Sequence, residues 1–179
     1  MLKAAIPHKE EVSLIHSCTW DIPKYKYYHI GYCSTPEIDI DEWNKVQRVC
    51  IADDVVIGYF SASVNRTCRI ITGISVISIA KTYRQYKIFE KDLLKFFLIL
   101  LEKYPTIQWC VCVNNPVRKK YEKFCEVVGG NIVGTYHKSS LVQNNLEDEE
   151  VFELLSTPET ISKVKSLMER INIKEKKDD

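Results

Sequence analysis

The 179-residue chain is 45% hydrophobic and carries 25 lysines and arginines against 24 aspartates and glutamates, a net charge of +1. That balance excludes a global field for steering towards nucleic acid or anionic membrane, so any charged site must be local. The length suits one domain with one substantial core.

Seven cysteines, Cys18, Cys33, Cys50, Cys68, Cys110, Cys112 and Cys125, lack the spacing of a zinc site or a disulfide framework and read as reduced, mostly buried thiols, with no metal implied. The first twenty residues hold Lys3, His8, Lys9, Glu10 and Glu11 and no apolar run of signal-peptide length. No window approaches a membrane span, so a cytoplasmic protein is expected.

In chain order, Met1–Ile6 reads as a short strand and His8–Cys18 as a helix with Val12 and Ile15 on one face. Thr19–Pro36, with Trp20, Tyr25, Tyr27, Tyr28 and Tyr32 between prolines, is too aromatic for a solvated linker and reads as an ordered loop. Lys24 and Lys26 among those tyrosines also suit stacking on a nucleic-acid base, but near-zero net charge and no matching module weigh against nucleic acid. Glu37–Lys45 reads as a short helix around Trp43. Val46–Ala52 and Val55–Asn65 then form a hairpin about Asp53-Asp54.

Cys68–Ala80 is almost continuously apolar, as expected for a central strand buried on both faces. Ile88–Lys103 carries apolar residues nearly all round, which predicts the most buried helix. Ile107–Val113 is the next strand, and Val117, Tyr121, Phe124, Cys125 and Val128 mark one face of a helix stopped by Gly129-Gly130. Asn131–Val142 and Val151–Leu155 close the sheet across a long polar connection, Gln143–Glu150. The domain is expected to end near Ser156, residues 157–179 adding a helix with a Thr157-Pro158 start, an apolar stripe from Ile161 to Ile171, and a charged tail, Lys174–Asp179. That stripe suits docking in cis, on a second copy or on another protein partner. The fold class is α/β with a mixed sheet.

The run NNPVRKKYEKFCEVVGGNIVG from Asn114, with VIGYFSASV and the central ISVISIA before it, resembles the GCN5-related N-acetyltransferase (GNAT) family. The order of elements agrees from Met1 to about Ser156. The resemblance implies an acyl-CoA N-acyltransferase fold whose central strand splays from its neighbour. The backbone around Ile77, Ser78 and Ile79 would then bind the amide-bearing arm of acetyl-CoA like an added strand. By the same resemblance Asn114 would hydrogen-bond the cofactor, and Tyr121 would protonate the departing thiolate as an amine attacks the thioester.

The family's phosphate loop corresponds here to KTYRQYKIFEKDLL, which puts Tyr86, Ile88 and Glu90 at the customary glycine positions. Lys81, Arg84 and Lys87 still place three cations there, and an arginine fork can hold phosphate oxygens where backbone donors are fewer. Backbone or side-chain contacts from Arg84, Lys87, Ile88 and Phe89 are the expectation for the phosphates. The same cations also fit a solvated turn.

No Asp or Glu falls between Val55 and Ala80 to serve as general base. Glu37, Asp39, Asp41 and Glu42 are the nearest candidates, and as a helix's first turn they would equally complement its dipole. Tyr121 and Asn114 each have a plain structural alternative, core packing for the one and a side-chain-to-backbone turn for the other. Two functions follow: an acetyltransferase acting on a small-molecule or protein amine, or a catalytically inactive GNAT-like binding or assembly protein of the kind found in phage genomes.

Overall fold

A computed structural model describes residues 1–20, 22–29, 36–40 and 42–178, with side chains to residue 171. Among the described residues seven strands form one sheet: β1 (Leu2–Ala4), β2 (Lys45–Ala52), β3 (Val55–Asn65), β4 (Ile70–Ser78), β5 (Thr106–Cys112), β6 (Asn131–Val142) and β7 (Asn145–Leu155). Their spatial order is β1-β2-β3-β4-β5-β7-β6. Every neighbouring pair is antiparallel except β4 with β5. The helices are α1 (Lys9–Thr19), α2 (Tyr83–Lys103), α3 (Arg118–Val128) and α4 (Pro158–Asp178), with a 3-10 segment at Pro23–Tyr28.

The alternation of the strands sends side chains to two cores. Phe60, Phe96, Phe97, Trp109, Phe152 and Val164 share the larger one, under α2, α3 and α4. Tyr59, next to Phe60, turns the other way to join Val12 and Ile15 of α1 with Val49 and Ile77. The apolar stripe of α4 is thus used within the chain: Val164 is fully buried, and Ile161, Leu167 and Met168 pack on the same core.

Several expectations are corrected. The helix expected over residues 37–45 is absent among the described residues, because Asp39 makes a turn instead. Its carboxylate accepts the amides of Asn44 (2.8 Å) and Lys45 (3.2 Å), and its own amide donates to the side chain of buried Gln47 (2.7 Å). α2 starts five residues before the expected Ile88, since Thr82 and Gln85 form a reciprocal cap. The Gln85 amide donates to the Thr82 hydroxyl (3.2 Å), and the Lys81 amide donates to the Gln85 side chain (2.9 Å).

The long connection Gln143–Glu150 is a tight hairpin instead. Gln143 and Asn144 take φ of 46° and 67°, the left-handed pair that matches the twist of flanking strands, and β7 begins at Asn145. β4 is not buried on both faces: only Ile71 and Ile77 are fully covered, and Thr72 and Ser75 are exposed.

β3 allows no side chain at Gly58. A Cβ there would meet the Phe89 ring at 2.4 Å and the Ile77 carbonyl at 2.9 Å, the second being backbone that cannot rotate away. Gly58→Ala is expected to cost about 1–3 kcal/mol by overpacking. Urea unfolding reads that cost, and Phe89→Leu in the same chain should recover part of it by removing the ring.

Candidate functional site

β3 and β4 stay paired up to Gly58 opposite Ser78, whereas β4 meets β5 at the single register pair Ile71 with Ile107. β5 meanwhile pairs with β7 along its whole length, from Thr106 opposite Leu155 to Cys112 opposite Glu149. The two parallel strands therefore part into a V that opens towards their C-terminal ends. One wall is the C-terminal end of β4, and the other is formed by β5 and α3.

The pleat decides which β4 groups face that V. The Ile79 amide donates to the Ile57 carbonyl of β3 (2.9 Å), so the amide and carbonyl of Ser78, one residue earlier, point away from β3. Of the expected Ile77, Ser78 and Ile79, it is thus Ser78 whose backbone faces the V. The Tyr28 hydroxyl reaches it, accepting from the Ser78 amide (3.2 Å) and donating to the Ser78 carbonyl (3.3 Å). Burial pushes the Tyr28 phenol up from its usual pKa, and Tyr25 and Tyr86 beside it add to the shift.

Tyr121 stands on the opposite wall. Its half-buried ring lies edge-on to Trp109, 5.7 Å between centroids, and tilted against Phe152 at 6.2 Å. Among the described residues its hydroxyl has no hydrogen-bond partner. Burial, with Tyr28 close by, holds its pKa far above the ordinary tyrosine value, so the phenol stays protonated at neutral pH. α3 is held against the sheet by Arg118, whose guanidinium forks onto Glu150 of β7 at 2.7 and 2.9 Å.

Asn114 lies exposed in the turn between β5 and α3. The side-chain turn expected of it belongs to Asn115, which accepts the Val117 amide (3.1 Å). The segment aligned with the phosphate loop is helical. Ile88 and Phe89 fall inside α2, where their amides serve the helix's own ladder, and Phe89 is buried against Gly58 and Phe60. Lys87 pairs with Glu90 (2.9 Å), and exposed Arg84 lies 3.5 Å from Asp53. The outward donors at this end are the first-turn amides of Tyr83 and Arg84, flanked by Lys81, Arg84 and Lys87.

Of the expected acidic candidates, Asp39 and Glu42 are engaged in structure. Asp39 holds its turn and Glu42 pairs with Arg48, whereas Glu37 is exposed and contributes only its backbone carbonyl, which accepts from Gln47 (2.8 Å); Asp41, like Tyr32 and Cys33, lies outside the described residues. Sequence reasoning missed Glu147 on β7. The Tyr27 hydroxyl donates to its carboxylate at 3.3–3.4 Å, next to the residue that reaches Ser78. LEDEEVFE does not alternate apolar and polar residues, so the sequence offered no signal for Glu147.

The tyrosine faces that suited nucleic acid are taken up internally. Tyr25 stacks on Tyr28 (5.4 Å, 19°), Lys24 lies 5.2 Å over Tyr25, and Lys26 lies 4.8 Å over Tyr27. Among the described residues no His, Cys, Asp and Glu group suits a metal ion, and no helix is long and apolar enough to cross a membrane. Cys50, Cys112 and Cys125 are buried, while Cys18 and Cys68 are exposed. Burial pushes the Cys50 and Cys125 thiols up to about 12 and the Cys112 thiol up to about 11, so these three are unreactive at neutral pH.

Solved structures superpose on this architecture over most of its length. An N-acetyltransferase from Staphylococcus aureus Mu50 matches with a TM-score of 0.66 at 16% identity, covering 88% of this chain and 98% of its own. The chain has the GNAT fold.

Two further GNAT-fold structures extend the comparison. A spermidine N-acetyltransferase from Vibrio cholerae, solved with CoA and spermine, matches at TM-score 0.66 and 15% identity, over 89% of this chain and 96% of its own. A ribosomal-protein-alanine N-acetyltransferase from Brucella melitensis matches at 0.65 and 14%, over 87% and 99%. No model of a known protein family matches the sequence, and no curated protein matches it. At such low identity the shared property is the GNAT fold itself.

Proposed function

We propose that this protein is an N-acyltransferase that takes an acetyl group from acetyl-CoA and transfers it to an amine. The observation that carries the reading is the V between β4 and β5, with the outward amide and carbonyl of Ser78 on one wall and the protonated Tyr121 phenol on the other. An amide-bearing arm fits a strand edge whose backbone groups point away from the neighbouring strand, since it can pair there as a short added strand. The V. cholerae neighbour, which carries CoA in its structure, supports the same class of ligand.

Acetyl-CoA, when bound, supplies the activated thioester. Ser78 would orient its arm, and the first-turn amides of α2 with Lys81, Arg84 and Lys87 would hold its phosphates. These stand in place of the loop glycines. Ile77 and Ile79 would line the wall through their strand, Ile88 and Phe89 would fix the angle of α2 by packing, and exposed Asn114 is free to meet the ligand from the α3 side. Tyr121 holds a proton for the departing sulfur. Glu147, tethered by Tyr27, is the carboxylate best placed to draw the proton from the incoming amine.

The neighbours include one solved with spermine and one named for a protein alanine, so both small and protein amines are acceptors to assay. A second reading, a binding protein without catalysis, is favoured by the helical Tyr86–Glu90 segment and by Tyr86 beside Tyr28. Thermal unfolding with excess acetyl-CoA separates the two. Ligand at a hundredfold above its dissociation constant stabilises by about 2.7 kcal/mol, which for a chain of this size raises the midpoint by about 5–11 °C. An unmoved midpoint favours the binding protein.

A further inference from the structure

The aromatic segment Pro23–His29 crosses the mouth of the V. At one side Tyr28 holds both outward backbone groups of Ser78 on β4. At the other, Tyr27 reaches Glu147 on β7, 120 residues away in sequence. The far end of the segment is fastened to α1 by His29. Its Nε2 lies 2.9 Å from the Thr19 hydroxyl, and its ring meets those of His16 and Trp20 edge-on at 4.6 and 4.7 Å.

We propose that Pro23–His29 is an autoinhibitory strap in which the Tyr28 hydroxyl occupies the β4 edge that the cofactor arm would pair with. The proposal rests on the acyltransferase reading above. A hydroxyl has one donor and two acceptor lone pairs, so a single Tyr28 satisfies the Ser78 amide and carbonyl together, as the amide of a ligand arm would. The Ser78 N–H can donate to only one such partner, and binding therefore requires Tyr28 to leave.

The strap is built to be releasable. Its O–H contact to the Ser78 carbonyl, at 3.3 Å, is longer than the usual O–H···O range of about 2.5–3.0 Å, and its N–H contact from the Ser78 amide, at 3.2 Å, is at the long end of the N–H···O range of about 2.7–3.2 Å. It is also built to return, because the His29 anchor on α1 does not touch Ser78 and keeps the segment near the cleft when Tyr28 lifts. The apparent affinity for the cofactor is then lowered by the fraction of molecules with the strap open.

Titration of coenzyme A into the full chain tests this. Tyr28→Phe keeps the ring and its stacking on Tyr25 but leaves Ser78 uncapped. It is expected to bind coenzyme A about five- to tenfold more tightly than the wild type, the effect of one to two ordinary hydrogen bonds. His29→Ala, which loosens the anchor instead of the cap, should tighten binding in the same direction. Tyr25→Phe removes a hydroxyl from the same segment without touching Ser78 and should stay within about twofold of wild type. In amide exchange, Ser78 should exchange faster in Tyr28→Phe than in wild type.

Equal or weaker binding by both Tyr28→Phe and His29→Ala overturns the strap while leaving the acyltransferase reading in place. Unchanged exchange at Ser78 in Tyr28→Phe also overturns it. Failure of all four proteins to bind coenzyme A at millimolar concentration overturns both.

Discussion

Tyr121→Phe is expected to lower the rate of acetyl transfer by about 10²–10⁴-fold, the usual contribution of a positioned proton donor, while leaving the fold almost as stable as before. The two halves of that expectation have separate physical origins. Stability at this position comes from the ring, which packs on Trp109 and Phe152, and phenylalanine keeps the ring. The hydroxyl has no hydrogen-bond partner among the described residues, so its removal leaves no group newly unsatisfied.

Catalysis, by contrast, would depend on the hydroxyl alone. Burial keeps the phenol protonated, which is the state a donor to a departing thiolate needs. The loss should fall on kcat with KM nearly unchanged, because the proton is transferred in the transition state and not on binding. Measuring both constants with an amine that is turned over, alongside the unfolding midpoint, checks it. Unchanged kcat would return Tyr121 to core packing, the plain alternative for a tyrosine at helical spacing.

The sequence makes the framework legible wherever one local pattern dominates. The β-branched run of β3, the two-residue turn at Asp53-Asp54 and the apolar residues of α2 each point to a single structure, and each is found. It is less legible where side chains compete with the backbone. Asp39 captures the amides of Asn44 and Lys45, which diverts a helical-looking stretch into a turn. In LEDEE the charges conceal a strand, because β7 runs beside the edge strand β6 and its outer half tolerates acidic side chains on both faces.

The site divides in the same manner. Tyr121 and the β4 wall are named by the family resemblance, which short runs of sequence carry. The Tyr28 contact with Ser78 joins residues 50 apart, and the Tyr27 contact with Glu147 joins residues 120 apart. Neither leaves a trace in composition or periodicity. The helical course of Tyr83–Glu90 is legible in principle, for Thr82 and Gln85 have capping-box spacing.

Phe152→Ala is expected to be among the most destabilising single truncations in the chain, at about 3–5 kcal/mol. Phe152 is fully buried and lies directly opposite Trp109 across the β5–β7 ladder, the two rings stacked at 5.5 Å and 13°. Cross-strand aromatic pairs add to the area they bury, and here the pair also backs Tyr121. The cavity left by alanine has the rigid sheet on one side and α3 on the other, with Arg118 forked onto Glu150 to prevent collapse. For a chain of this size the midpoint should fall by about 6–20 °C. Phe152→Leu, which keeps most of the volume, should cost under about 1.5 kcal/mol. Because Phe152 supports the Tyr121 ring without approaching the V, Phe152→Leu should weaken acetyl transfer only modestly. A loss as deep as that of Tyr121→Phe would mean that ring placement, and not the hydroxyl, governs the step.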